Sequence, residues 1–227
     1  MGGNQEKLLP LPKLEVLISN NSYFEISENG FPNLKKFVSS NEISKPSYDS
    51  LFKNCCATLE ELDVPYKNNY SIEDEENYLE NIKNCLNLKT LKILTKMTHF
   101  EKAVTGIPPS LENLSLNLVV LEETFFSLEC LSKIPSIQSL NISFNILNQK
   151  ILMKHQPFEL PFLTHLNFDF CTVNDNFDVS EFLSLFSNCK KISHFTLRTD
   201  FPCDKEQLIQ QISKMGIKNY QLDIILD

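Results

Sequence analysis

Apolar residues recur along this chain in one short signature: an apolar position, a second three residues on, and a third two beyond that. Leu163, Leu166 and Phe168 carry it just after Pro161, and the same phase returns at Leu88/Leu91/Ile93, Leu111/Leu114/Leu116, Ile137/Leu140/Ile142 and Ile217/Tyr220/Leu222. Taking the first position as a marker gives nine repeats, at Leu14, Leu34, Leu59, Leu88, Leu111, Ile137, Leu163, Ile192 and Ile217. The markers stand 20, 25, 29, 23, 26, 26, 29 and 25 residues apart, so the period is irregular. The second and third apolar positions alternate with period two, and each repeat therefore predicts a short strand with one buried face.

Between the strands the spacing turns helical. "SIEDEENYLENIKN" offers Ser71 as N-cap, acids at 73 to 76 where the helix dipole favours them, and Tyr78, Leu79 and Ile82 on one face. "DKEQLIQQISKMG" opens with Asp204 and Gln207 at capping-box spacing, predicts Leu208, Ile209 and Ile212 as buried, and stops at Gly216. "EETFFSLECLSK" and "DVSEFLSLFSN" read alike through Phe125, Leu128 and Leu131 and through Phe182, Leu185 and Phe186. A strand that leaves through a turn and a helix or loop, then returns beside itself, cannot bury its apolar face without neighbours. The pattern thus predicts an α/β solenoid with a parallel sheet of about nine short strands.

The cysteines make the pattern more specific. In "NIKNCLNLKTLKI" and "LFSNCKKISHFTL" a helix runs into a cysteine and the next strand's apolar residues follow at once, and "LFKNCCATLEELDV" does so with one extra residue. With the repeat, these junctions resemble leucine-rich repeat proteins, specifically the cysteine-containing repeats of F-box/leucine-rich repeat proteins. The resemblance runs from Leu11 to Leu226 and implies a leucine-rich repeat solenoid, or horseshoe, with a curved parallel sheet and convex-side helices or irregular loops. The family's Asn or Cys eight residues after the first leucine stands at Asn145 and Cys171; Ser22, Glu42, Lys67, Lys96, Val119 and Asp200 hold that place elsewhere, so irregular turns are expected. No F-box pattern precedes Leu11. One leucine-rich repeat domain is expected over residues 1–227, with 1–10 as a short N-terminal lead or expression scar.

Composition narrows the chemistry. Lysine and arginine number 21 against 29 acidic residues, a net charge of -8, which disfavours a broad grip on a nucleic-acid backbone. Five glycines leave no phosphate-cradling loop. No apolar run approaches the roughly 20 residues of a membrane helix, and the opening "MGGNQEKLLP" lacks a signal-peptide order, so a cytoplasmic or nuclear location is expected. Gly2 lacks the Ser or Thr that a myristoylation motif wants where Glu6 stands. Seven cysteines invite a metal or redox reading, but Cys56, Cys85 and Cys189 each sit three residues before a marker, where other repeats carry Leu11, Phe31, Ile134 and Leu160. They are read as reduced core thiols; no cofactor and no metal ligand set is assigned.

The residues two, four and six after each marker are expected on the exposed, concave face. Three repeats there concentrate directed polar groups: His165, Asn167 and Asp169, then His194, Thr196 and Arg198, then Asn219 and Gln221 with Asp223. Arg198 is the only arginine in the chain, a residue type enriched at interface anchors, although Asp169 and Asp223 share its phase on the flanking strands. The competing site is apolar, from Val16, Ile18 and Val38, and Asp63 is expected to face Lys92. The resulting expectation is a noncatalytic scaffold gripping a protein partner through the concave face. The family resemblance implies substrate recognition for an F-box type ubiquitin ligase. Alternatives are a GTPase-activating repeat protein using Arg198 and, less favoured, a metal protein using His165 and His194.

Overall fold

In the computed structural model each of the nine predicted strands begins two residues after its marker. They are β2 (Val16–Ser19), β4 (Lys36–Ser39), β5 (Glu61–Asp63), β6 (Thr90–Lys96), β7 (Asn113–Val120), β9 (Ser139–Ile146), β11 (His165–Cys171), β12 (His194–Thr199) and β13 (Asn219–Ile224). All are parallel and follow chain order in one nine-stranded sheet. The structure describes residues 6–8, 10–19, 24–26, 30–40, 45–63, 72–96, 100–120, 124–146, 151–153, 158–171, 178–200 and 203–224. These fall into two compact units: Met1–Ile93 with Gly106–Leu111, and Leu94–Thr105 with Glu112–Asp227.

The entry to each strand explains why the marker is apolar. In seven repeats the marker N–H donates to the carbonyl three residues back, as in Leu34 to Phe31 (3.1 Å), Leu88 to Cys85 (3.0 Å) and Leu163 to Leu160 (3.2 Å). That tight turn drives the marker side chain inward, and Leu34, Leu59, Leu88, Leu111, Ile137 and Leu163 are all fully buried. One residue later, a single carbonyl accepts two N–H groups from the next repeat: the Glu15 carbonyl takes Lys35 and Lys36, and the Thr164 carbonyl takes Ser193 and His194. Register is set there, before the strand begins.

Two repeats depart from the turn, each for a local reason. At Leu59 the extra residue shifts the acceptor to Cys55, four residues back. Cys55 is therefore the buried thiol and Cys56 only half-buried, contrary to the expectation for Cys56; Cys85 and Cys189 are buried as expected. At Ile217 the preceding helix ends on Gly216, whose φ of +74° only glycine adopts freely. Gly216 N–H bonds the Ser213 carbonyl and Ile217 N–H the Ile212 carbonyl, the paired bonds of a Schellman stop.

In the N-terminal unit, α1 (Lys45–Cys55) and α2 (Ile72–Lys83) supply a core cluster of Tyr48, Phe52 and Tyr78, with Tyr48 and Tyr78 edge-on at 5.0 Å. Tyr78, Leu79 and Ile82 are buried as their spacing predicts; Ser71 lies outside the described residues, as do the side chains at 73–76. A two-stranded parallel sheet joins β1 (Glu6–Leu8) to β3 (Phe24–Ile26).

In the C-terminal unit, α3 (Phe100–Thr105), α4 (Val179–Ser184) and α5 (Lys205–Lys214) lie between strands. Asp178 caps α4 by accepting from Glu181 N–H, and Asp204 caps α5 by accepting from Gln207 N–H. Phe182, Leu185 and Phe186 are buried, as are Leu208 and Ile212, whereas Ile209 is only half-buried. Phenylalanines fill this core: Phe144, Phe168, Phe170, Phe182, Phe186 and Phe195 are at most 1% exposed, with neighbouring rings 4.8 to 6.0 Å apart.

Two further expectations fail here. The helix expected through Phe125 is instead β8 (Thr124–Phe126), paired in parallel with β10 (Ile151–Met153), followed by a 3₁₀ turn, Glu129–Lys133, that buries Cys130 and Leu131. Thr-Phe-Phe favours the extended chain, and a strand partner at the same level of the next repeat captures it. Tyr220, expected in the core, is 45% exposed, because among the described residues β13 is the last strand of the sheet and pairs with β12 alone.

Candidate functional site

Strands β11, β12 and β13 run in register, so their outward side chains form three rows: His165, His194 and Asn219; Asn167, Thr196 and Gln221; Asp169, Arg198 and Asp223. Leu166, Phe168, Phe195 and Leu197 point the other way into the phenylalanine core, fixing the rows from beneath. His165, His194, Arg198, Asn219 and Gln221 are exposed, and Asn167, Asp169 and Thr196 half-buried.

The histidine row is the most ordered. The two imidazoles stack with centroids 4.5 Å apart and planes 5° from parallel. Each ring is held at Nδ1 by the hydroxyl immediately before it in the chain, Thr164 Oγ1 at 2.8 Å from His165 and Ser193 Oγ at 2.9 Å from His194. Thr164 Oγ1 also donates to the Gln138 carbonyl at 3.1 Å and Ser193 Oγ to the Thr164 carbonyl at 3.3 Å. Asn219 Nδ2 stands 3.5 Å from His194 Nε2. These hydroxyls escaped the sequence reading, although Thr-His and Ser-His recur at one phase of adjacent repeats.

The charged row is not closed on itself. Among the described residues Arg198 forms no ion pair with Asp169 or Asp223, and Asp223 instead accepts from Gln221 Nε2 at 2.9 Å. Register alone does not bring the guanidinium onto either carboxylate.

The competing apolar site is only partly exposed. Val16 and Ile18 on β2 are 50% and 61% exposed, but Val38, beside Ile18 in register, is half-buried. Its neighbours carry ion pairs: Lys36 to Glu61 at 2.7 Å and Lys92 to Asp63 at 3.3 Å, the latter as the spacing predicts.

Burial governs the thiols. It pushes Cys55, Cys85 and Cys130 up to about 12 and raises Cys189, and their Sγ–H groups donate to backbone carbonyls, Cys55 to Leu51 at 2.9 Å. Such groups stay protonated and make poor nucleophiles. Among the described residues no three His, Cys, Asp or Glu side chains converge as a metal cluster, and no helix is long and apolar enough to cross a membrane.

The sheet is open and all-parallel, built from strand-turn repeats as the apolar markers predict. No family model and no curated protein matches the chain. Among solved structures it is similar to a crystal structure of a TLR13–ssRNA13 complex, at 14% identity and a TM-score of 0.44, over 98% of this chain and 38% of that one.

Proposed function

We propose that this chain is a noncatalytic protein-interaction scaffold, one continuous repeat domain, that grips its partner through the outward rows of β11, β12 and β13. The supporting observation is the run of exposed directed groups in strict register, His165, His194, Arg198, Asn219 and Gln221, with Asn167, Asp169 and Thr196 between them. Those on β11 and β12 stand on strands packed from beneath by Phe168 and Phe195, so the backbone that presents them is fixed before binding. The cysteine-containing repeats favour a finer reading, substrate recognition for an F-box type ubiquitin ligase in the cytoplasm or nucleus; sequencing the native gene for an F-box upstream of Met1 tests it.

Affinity capture with the intact chain, read by mass spectrometry, identifies the partner. Arg198→Ala and the His165→Ala/His194→Ala pair are then each expected to weaken binding by at least about 2 kcal/mol, the threshold of a hot spot. Loss of affinity only in Val16→Ser/Val38→Ser would move the site to the N-terminal strands.

Arg198 favours one second reading, regulation of a GTPase, because activators of that class present an unpaired guanidinium. Arg198 is exposed and without an ion pair among the described residues. If the captured partner is a GTPase, its hydrolysis rate with wild-type chain against Arg198→Ala decides between the readings.

A further inference from the structure

The first and last strands of the nine-stranded sheet carry the same repeat template as the others but lack a neighbour on one side. A parallel strand bonds to its two neighbours through alternate residues. Here the residues one, three and five after a marker bond toward the following repeat and those two, four and six toward the preceding one, as Lys36 N–H does to the Glu15 carbonyl and Ser40 N–H to the Ser19 carbonyl. Among the described residues β2 pairs with β4 alone and β13 with β12 alone. Val16 and Ile18 therefore aim their backbone groups away from the sheet at one edge, and Lys218, Tyr220 and Leu222 at the other. Burial is incomplete at the same two places. Leu14 and Leu17 are half-buried where their equivalents in the next repeat, Leu34 and Phe37, are fully buried, and Tyr220 is 45% exposed where Phe195 is 1%.

The two edges are complementary, because each presents one side of the same repeat. We propose that the partner of the β13 edge is the β2 edge of a second copy of this chain, joined head to tail so that the sheet continues, parallel and in phase, from one molecule into the next. In-phase continuation directs Val16 N–H to the Lys218 carbonyl and Ile18 N–H to the Tyr220 carbonyl, and it sets Tyr220 against Leu17 and Ile217 against Leu14. Charge matches as well. Residues one after the marker meet across neighbouring repeats, as Lys35 Nζ and Glu15 do at 3.2 Å. In the ninth repeat that position is Lys218, which is exposed and without an ion pair among the described residues. The joint brings Lys218 of one copy to Glu15 of the next, a pair that a two-fold contact between like edges cannot make. It engages strand edges rather than the outward rows of β11, β12 and β13, and so goes beyond the scaffold role proposed above. A contact between unlike edges leaves one of each kind open at the ends of every assembly that does not close into a ring, so association proceeds past two copies.

The test is sedimentation velocity on the intact chain from micromolar to submillimolar concentration, where the wild type is expected to form species larger than a dimer as concentration rises. Val16→Pro removes an N–H that faces the neighbouring copy and leaves the bonds to β4, made through Glu15, Leu17 and Ser19, in place. Lys218→Glu and Glu15→Lys each set like charges at the joint. All three are expected to weaken association by at least about tenfold, with circular dichroism showing that each variant is folded. The Glu15→Lys/Lys218→Glu chain, with the charges exchanged, should recover most of that loss. An equimolar mixture of Val16→Pro and Lys218→Glu chains should associate with wild-type strength and stop at two copies, since one keeps its β13 edge and the other its β2 edge. If Val16→Pro does not fold, mixing the Glu15→Lys and Lys218→Glu chains, each weak alone, must restore association. A wild type that stays monomeric throughout, a single-edge variant that still dimerises with wild-type strength, or mixtures no stronger than their components would each overturn the proposal.

Discussion

Successive repeats of the N-terminal unit are tied at their turns by polar side chains. Asn33 donates to the Pro12 carbonyl at 2.6 Å, Thr58 to Pro32 at 3.3 Å, Asn87 to Ala57 at 2.6 Å and Ser110 to Leu86 at 3.1 Å. In each case the residue just before a marker reaches the carbonyl two residues before the previous one. In the C-terminal unit the same position holds Ser136, Phe162, Lys191 and Gly216, and the Lys191 ammonium lies 4.5 Å above the Phe162 ring centroid. Cross-strand ion pairs, Lys36 to Glu61 and Lys92 to Asp63, add to these ties, whereas β11 and β12 lie over a core of packed phenylalanines. One repeat template thus tolerates two kinds of glue, because each repeat answers only to its neighbours.

The largest effect that would break this contrast lies in the aromatic core. Phe182→Ala, removing a fully buried ring against Phe144, Phe168 and Phe170, should cost about 3–5 kcal/mol in denaturant unfolding. A loss below about 1 kcal/mol would mean that the ring is not in a packed core.

Next comes alkaline pH, which acts on both units through their thiols. Cys55, Cys85 and Cys130 are held at about 12 against an ordinary 9.0, so the unfolded chain releases these protons first. Folding stability from this source is fully present below about pH 9 and falls as pH rises from there toward about 12. Melting followed from pH 7 to 11 should show that decline, and alkylation of folded protein near pH 8 should reach half-buried Cys56 and Cys203 before buried Cys55, Cys85, Cys130 and Cys189. Cys55 labelling ahead of Cys56 would reverse the assignment at that junction.

The smallest effects distinguish the two polar devices of the N-terminal unit. Asn87→Ala deletes a tie between turns and should cost about 0.5–1.5 kcal/mol. Lys92→Ala deletes a cross-strand ion pair whose lysine is 56% exposed, and should cost under about 1 kcal/mol, less in high salt. Equal costs for the two would remove the special role given to the turns.

Much of this architecture was legible because a repeat reports its own phase. Nine apolar markers located nine strands, since any residue that must enter a tight turn and face the core is apolar wherever the turn recurs. The caps at Asp178 and Asp204 and the stop at Gly216 were legible because they are local chemistry, decided within a few residues. The outward rows followed from period two alone, and with them the identity of the candidate face.

What depends on partners distant in sequence was settled only by the tertiary structure. Cys55 rather than Cys56 is buried because one added residue changes which carbonyl closes the turn onto Leu59. Thr124–Phe126 is a strand because Ile151–Met153 lies beside it, and no helical spacing within the segment could reveal that partner. Tyr220 is exposed although its phase is that of a core residue, since burial needs a neighbour on both sides. His165 and His194 shared a phase on paper; their stacking, beside hydroxyls 2.8 and 2.9 Å from their Nδ1 atoms, required two strands 29 residues apart to be laid in register. Periodicity determines which way a side chain points, and packing determines what it meets.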